Sequence, residues 1–150
     1  ERMSVVFDTL KKLAIGGDHA GYEYKELLKP VIEALGLEID DKGPFSEASV
    51  DYPDFAHPVA TDVGEGIAGA GILICGSGNG VCMTANKHAN VRAALCWNPE
   101  LAALARQHNN ANVLCIPARF VDVETAKAMV TAFLTTAFEG GRHEKRVAKI

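Results

Sequence analysis

Gly71-Ile72-Leu73-Ile74-Cys75-Gly76-Ser77-Gly78-Asn79-Gly80 is a short apolar run that empties into a glycine-rich turn. A strand covered on both faces reads this way, because neither side alternates toward water. Similar runs recur at Leu13-Ala14-Ile15, more weakly at Leu37-Glu38-Ile39, then at Val91-Arg92-Ala93-Ala94-Leu95-Cys96 and Asn112-Val113-Leu114-Cys115-Ile116. Helix-period stripes lie between them. Leu27, Leu28, Val31, Ile32 and Leu35 form one, and Pro30 inside it predicts a kink. Phe55, Val59, Val63 and Ile67 form another, with Pro53 and Pro58 near its start. Asn98-Pro99 reads as an N-cap and first-turn proline opening a helix toward Gln107. Asp122 caps the amphipathic stripe Val123, Ala126, Val130, Phe133, Leu134 and Ala137. Strand and helix alternate about five times, which predicts a doubly wound α/β sandwich around a mostly parallel five-stranded sheet.

The 150 residues suit one domain, 1–150. Within it, 1–10 reads as an N-terminal extension. Gly140-Gly141 ends the last long helix, so 139–150 reads as a charged tail expected to dock on a partner subunit. A net charge of −4 and a pI near 5.7 argue against nucleic acid or an anionic membrane surface as a partner. No apolar run approaches the roughly 20 residues needed to span a bilayer. Glu1 to Leu10 lacks the basic start and apolar stretch of a signal peptide. The cysteines, Cys75, Cys82, Cys96 and Cys115, form no CxxC pair. Reduced thiols in the cytoplasm explain them better than a disulfide framework.

In open α/β sheets ligands bind beyond the carboxyl ends of the strands. Gly16-Gly17-Asp18-His19-Ala20-Gly21 follows the first strand, Gly76 to Gly80 the third, His108-Asn109 the fourth helix and Arg119 the fifth strand. These residue types are expected to gather at one edge of the sheet. The loop Gly76-Ser77-Gly78-Asn79-Gly80 lets backbone amides converge on an anion at a helix start, or is simply a tight connection. It is no dinucleotide fingerprint, since it follows the third strand and no acidic residue ends the next one. It is no P-loop either, because no Gly-Lys-Ser/Thr follows.

Cys75 has two readings: a small buried hydrophobe, or a thiol whose thiolate the surrounding donors favour, able to act as nucleophile or base. Cys82, Cys96 and Cys115 lie within helix or strand patterns and read as core. His108 is either a solvated helix cap or a functional imidazole. Asp18-His19 is either a capped turn or part of a site. His57 and His88 have no partner in sequence and read as surface residues. No HExxH, paired Cys or His spacing, or carboxylate cluster predicts a metal, so none is expected. Arg142 and Arg146 would share a face of a helical tail, as solvated charge or as a phosphate clamp.

Gly17-Asp18-His19-Ala20-Gly21, Asp51-Tyr52-Pro53, Cys75 to Gly80, Ala85-Asn86-Lys87, Arg106-Gln107-His108-Asn109 and Glu139-Gly140-Gly141-Arg142-His143 together resemble the type B ribose-5-phosphate isomerases. That family includes galactose-6-phosphate isomerase subunits, and the resemblance runs from Lys11 to Val147. It implies a Rossmann-like fold, a homodimer (or dimer of dimers) with sites at the subunit boundary, a small phosphorylated sugar as substrate, and no cofactor. Aldose and ketose would interconvert through an enediolate. By the same resemblance Cys75 shuttles the proton between C1 and C2, and Gly76, Ser77, Gly78, Asn79 and Gly80 hold the enediolate oxygen. His108, helped by Asp18 and with Asn109 beside it, opens the furanose ring. His19, Arg119, Arg142 and Arg146 bind phosphate. Some members replace the cysteine by a glutamate just after the last glycine, where this chain has Val81.

The chemistry suits these residues independently, since a carbon acid beside a carbonyl needs a positioned base and a stabilised oxyanion. Allose or galactose 6-phosphate, a tetrose phosphate, a non-catalytic sugar-phosphate module, and a thiol-dependent hydrolase or reductase are the alternatives.

Overall fold

The computed structural model describes residues 4–150. Its elements run β1 (Leu13–Gly17), α1 (Tyr22–Ala34), β2 (Ile39–Asp41), α2 (Pro53–Gly64), β3 (Ala70–Cys75), α3 (Asn79–Ala85), β4 (Ala93–Leu95), α4 (Pro99–Asn109), β5 (Val113–Pro117) and α5 (Val123–Thr135). A 3-10 turn (Gly141–His143) and α6 (Glu144–Val147) close the chain. The strands form one sheet in the order β2-β1-β3-β5-β4, and every pairing is parallel.

Side-chain alternation divides the core into two layers. Leu13, Ile15, Ile72, Ile74, Leu114 and Ile116 face α1, α4 and α5, where Leu28, Ile32, Ala102, Met129, Val130 and Phe133 are buried. Ala14, Leu73, Cys75, Val113 and Cys115 point the other way, against Val59, Val63 and Val81 of α2 and α3. Both faces are therefore dry, which is why the strands read as apolar runs without alternation.

The predicted caps form: Asn98 accepts the Leu101 amide at 2.8 Å and Asp122 the Thr125 amide at 2.7 Å. Three details differ from expectation. Helix α1 runs continuously through Pro30, because packing of Leu28 and Ile32 on the sheet outweighs one lost backbone bond. Helix α2 stops at Gly64, leaving Ile67 outside it and exposed; the Gly66 φ of 74° turns the chain there. Helix α5 ends at Thr135, before Ala137.

Val6 and Phe7, early in the chain, are tied to the core. The Val6 amide donates to the Leu134 carbonyl at 2.9 Å, and Phe7 stacks on Phe133 with centroids 5.6 Å apart. Arg106, almost fully buried, lies over the Phe7 ring at 4.5 Å. Its guanidinium donates to Asn110 Oδ1, the Ala111 carbonyl and the Thr136 carbonyl, tying the end of α4 to the end of α5. Burial first, and then Arg92, bring its pKa down to about 10.

Candidate active site

The chain leaves β1 toward β2 on one side and returns to β3 on the other, so the crevice between β1 and β3 is the topological switch point. Asp18 follows β1 there and Cys75 ends β3. A cavity of about 410 Å³ opens between them, lined by Asp18, Tyr52, Cys75, Gly76, Ser77, Gly80, Arg119 and Phe120.

Each wall has a local cause. Asp18 Oδ1 accepts the Ala20 and Gly21 amides at 2.9 and 3.1 Å, which fixes its carboxylate at the mouth of α1. Gly78 has a φ of 73°, and a Cβ on it would fall 2.5 Å from Leu95 Cδ1, so glycine alone fits this turn. At Gly80 a Cβ would meet the Tyr52 ring at 2.5 Å, so the missing side chain lets the ring close over the loop. The Arg119 amide donates to the Gly76 carbonyl at 3.0 Å, holding the arginine beside the glycines. The Asn79 amide already donates to Ser77 Oγ at 3.3 Å, so an anion would draw on the other amides of this loop.

The loop after β2 supports the same edge. Lys25, wholly buried, reaches Asp41 Oδ2 at 2.6 Å, and Asp41 Oδ1 accepts the Gly43 amide at 2.8 Å. Burial pushes the Asp41 pKa up, but bonds from Lys25 and Lys29 more than offset it and hold the carboxyl below its ordinary value. Further along, the Val50 amide donates to His19 Nδ1 at 3.2 Å and ties this histidine to the loop after β2.

His108 and Asn109 are elsewhere, and this corrects the expectation that all functional residues share one edge. Helix α4 starts at the carboxyl edge after β4 and runs back, antiparallel to the strands, for 11 residues. At about 1.5 Å per residue that spans about 16 Å, so its end lies at the amino edge where β5 begins. Arg142 and Arg146 lie at this amino edge too, because α5 also ends there. The Glu139 amide donates to the Gln107 carbonyl at 3.0 Å and pins the tail to α4. A second cavity, about 490 Å³, is lined by His108, Asn109, Arg142, His143, Arg146, Val147 and Ile150. It shares no residue with the first.

The candidate residues thus fall into two separate groups. Asp18, His19, Cys75, the glycine loop and Arg119 occupy the carboxyl edge; His108, Asn109, Arg142 and Arg146 occupy the amino edge. A single-sequence reading of element order misses this, because "after a helix" and "after a strand" mean opposite ends of a parallel sheet.

Other residues also depart from expectation. His57 Nδ1 and His88 Nε2 are 2.6 Å apart, so these histidines partner each other across 31 positions. Cys82 is half-buried, and a hydrogen bond from the Cys115 thiol is the main cause holding its pKa below the ordinary value. Cys96 and Cys115 are core residues, as expected: burial pushes the first up to about 12 and the second well above its usual value. His108, Glu139 and His143 bring ligand atoms within 4.8 Å of one another, a cluster that no sequence spacing announced. Burial is the main cause lowering the His143 pKa, and the neighbouring His108 and Arg142 add to it. Tyr52, within Asp51-Tyr52-Pro53, and Phe120 line the first cavity as well, and the sequence alone singles out neither. Among the described residues no helix is long and apolar enough to cross a membrane.

The sequence profile described as Ribose/Galactose Isomerase matches residues 13–150. Ribose-5-phosphate isomerase B of Escherichia coli is 45% identical over 141 residues, covering 94% of this chain and 95% of the relative. The structure of a ribose 5-phosphate isomerase from Thermotoga maritima superposes with a TM-score of 0.89 at 47% identity, covering 93% and 96% of the two chains. That of ribose-5-phosphate isomerase B from Mycoplasma genitalium with bound ribulose 5-phosphate gives 0.90 at 44% identity, covering 95% of each.

Proposed function

This chain belongs to the ribose/galactose isomerase family, and we propose from that premise that it interconverts ribose 5-phosphate and ribulose 5-phosphate, with its two half-sites joined across a homodimer. The protein is an aldose–ketose isomerase. The observation that carries the shared site is the placement of Cys75 and His108 at opposite edges of one sheet. One chain cannot bring ring opening and enolisation to the same sugar. A second copy, set with its amino edge against the first copy's carboxyl edge, can.

The exposed side chains on the carboxyl edge support that docking. Phe45, Tyr52, Trp97 and Phe120 follow or flank the strand ends there, and Phe120 is 75% exposed in the single chain. Two-fold symmetry would build two equivalent sites from one contact. Four free cysteines accord with a reducing compartment, the cytoplasm.

In the joined site the phosphate lies at the seam, between His19 and Arg119 of one copy and Arg142 and Arg146 of the other. Planar guanidinium forks match phosphate oxygens, and this remote contact holds the reacting carbons in place. His108 of that other copy moves a proton between the anomeric hydroxyl and the ring oxygen, next to Asp18. The open aldehyde then presents its C2 proton to Cys75. As the proton leaves, charge collects on O1, where amides of the Gly76 to Gly80 loop receive it. The hydroxyl proton of O2 then passes to O1 within the enediolate, leaving the charge on O2, and protonated Cys75 delivers its proton to C1 as the C2 carbonyl forms, giving the ketose. Val81, fully buried, offers no competing carboxylate.

Turnover of ribose 5-phosphate by the chelator-treated protein tests this reading. Arg142→Ala should raise KM for the phosphate ester by roughly the worth of one charged hydrogen bond, about 1.5–3 kcal/mol, with a smaller change in kcat. Unphosphorylated ribose should be a poor substrate for both proteins. An unchanged KM for the ester would remove Arg142 from the phosphate site.

A further inference from the structure

The stacked pair His108–His143 has ring centroids 4.4 Å apart and planes only 15° from parallel. Both imidazoles turn Nε2 toward the same carboxylate oxygen, Glu139 Oε1, at 3.9 and 3.7 Å. These separations are too long for hydrogen bonds. They lie a few tenths of an ångström beyond the roughly 3.3–3.4 Å between donors that share a tetrahedral ion with bonds of about 2.0–2.1 Å, and all three ligand atoms lie within 4.8 Å of one another. The backbone that sets the trio is already tied down. The Glu139 amide bonds to Gln107, and the His143 amide donates to Gly140 at 3.0 Å. Gly140 and Gly141, with φ of 68° and 54°, turn the chain so that His143 returns over His108.

We propose that His108, Glu139 and His143 form a binding site for a divalent transition-metal ion, and that filling it inhibits the isomerase by taking His108 out of ring opening. The inhibitory half rests on the function proposed above; the site itself does not. Arg142 and Arg146 line the same cavity and repel a dication. Affinity must therefore come from coordinate bonds to imidazole nitrogen, which selects Zn²⁺, Co²⁺ or Ni²⁺ over Mg²⁺ and Ca²⁺. Glu139 and His108 have side chains 51% and 39% exposed, free to make the small closing movement, while His143 at 10% is the fixed ligand. Water would fill the remaining coordination position.

The experiment is a Co²⁺ titration of the chelator-treated, desalted protein, read by the visible absorption of tetrahedral cobalt. One ion per chain is expected, displaced by Zn²⁺ and indifferent to excess Mg²⁺. The bands should be lost in Glu139→Gln, an exposed position where folding is not at risk, and in His143→Gln. In parallel, Zn²⁺ should suppress ribose 5-phosphate turnover and a chelator should restore it. Absence of the cobalt bands, or their persistence in Glu139→Gln, overturns the site. Bands with unaltered turnover under saturating Zn²⁺ overturn the inhibition. A protein that binds cobalt at the trio yet never converts ribose 5-phosphate would instead sink the isomerase reading and leave the metal site standing.

Discussion

Cys75→Ala will fold normally and lose about 10²–10⁴-fold in kcat, the usual worth of a positioned proton-transfer group. The fold survives because Cys75 ends β3 beside the glycine loop, and removing its sulfur leaves a cavity of about methyl size, worth roughly 1 kcal/mol. Turnover collapses because nothing nearby can replace the thiol: Val81 is apolar and Asp18 is held by two backbone amides. Sulfur acts here as a base and not as a covalent nucleophile, since attack on the carbonyl would only trap the substrate. Two readouts separate this from a purely structural cysteine. Conversion in deuterated water should place some deuterium on the product carbon, because a thiol can exchange between the two transfers. Iodoacetamide should inactivate the wild type at Cys75 in a reaction that a substrate analogue blocks. Cys82, half-exposed with a lowered pKa, will be the competing site of alkylation. Protection by the analogue therefore identifies Cys75, and total label uptake does not. Full activity in Cys75→Ala would end the proton-shuttle role.

His108→Ala should slow the cyclic aldose by about 10²–10⁴-fold, as expected for losing a general acid–base group. Ring opening requires a proton to move between the ring oxygen and the anomeric hydroxyl, and imidazole suits that exchange near neutrality. Ribulose 5-phosphate has no furanose of that kind to open, so its C1 proton exchange with solvent should fall far less. Measuring both reactions on the same variant isolates the step. Equal losses would show that His108 acts on enolisation or binding. Interpretation requires that the amino edge stay intact, and Arg106 provides for that. Its bonds to Asn110, Ala111 and Thr136 hold the end of α4 without help from the imidazole.

The sheet was legible because burial on both faces leaves its mark on every strand: Ile72-Leu73-Ile74 sends alternate residues to opposite helix layers and all are apolar. The caps at Asn98 and Asp122 were legible because a single side chain makes each one. Chain position, in contrast, did not reveal which sheet edge a residue occupies. His108 reads like Asp18, a polar residue beside a core run, yet one follows a helix and the other a strand. Contacts between distant segments were equally hidden. His57 meets His88, and Glu139 meets His108, only because α2 packs near the end of α3 and the tail folds back on α4. Tyr52 escaped notice for another reason: its ring matters through the absence of a side chain at Gly80.

The division of the site between two copies is tested most directly by a mixed dimer. Cys75→Ala and His108→Ala chains, each carrying a different affinity tag, are co-expressed and the doubly tagged species isolated. In a two-fold dimer the Cys75 of one chain meets the His108 of the other, so one site carries both substitutions and the second is native. The mixed dimer should recover about half the wild-type activity while each parent is nearly inactive. Activity no higher than the parents would mean that Cys75 and His108 serve the same chain's site, contradicting the shared arrangement.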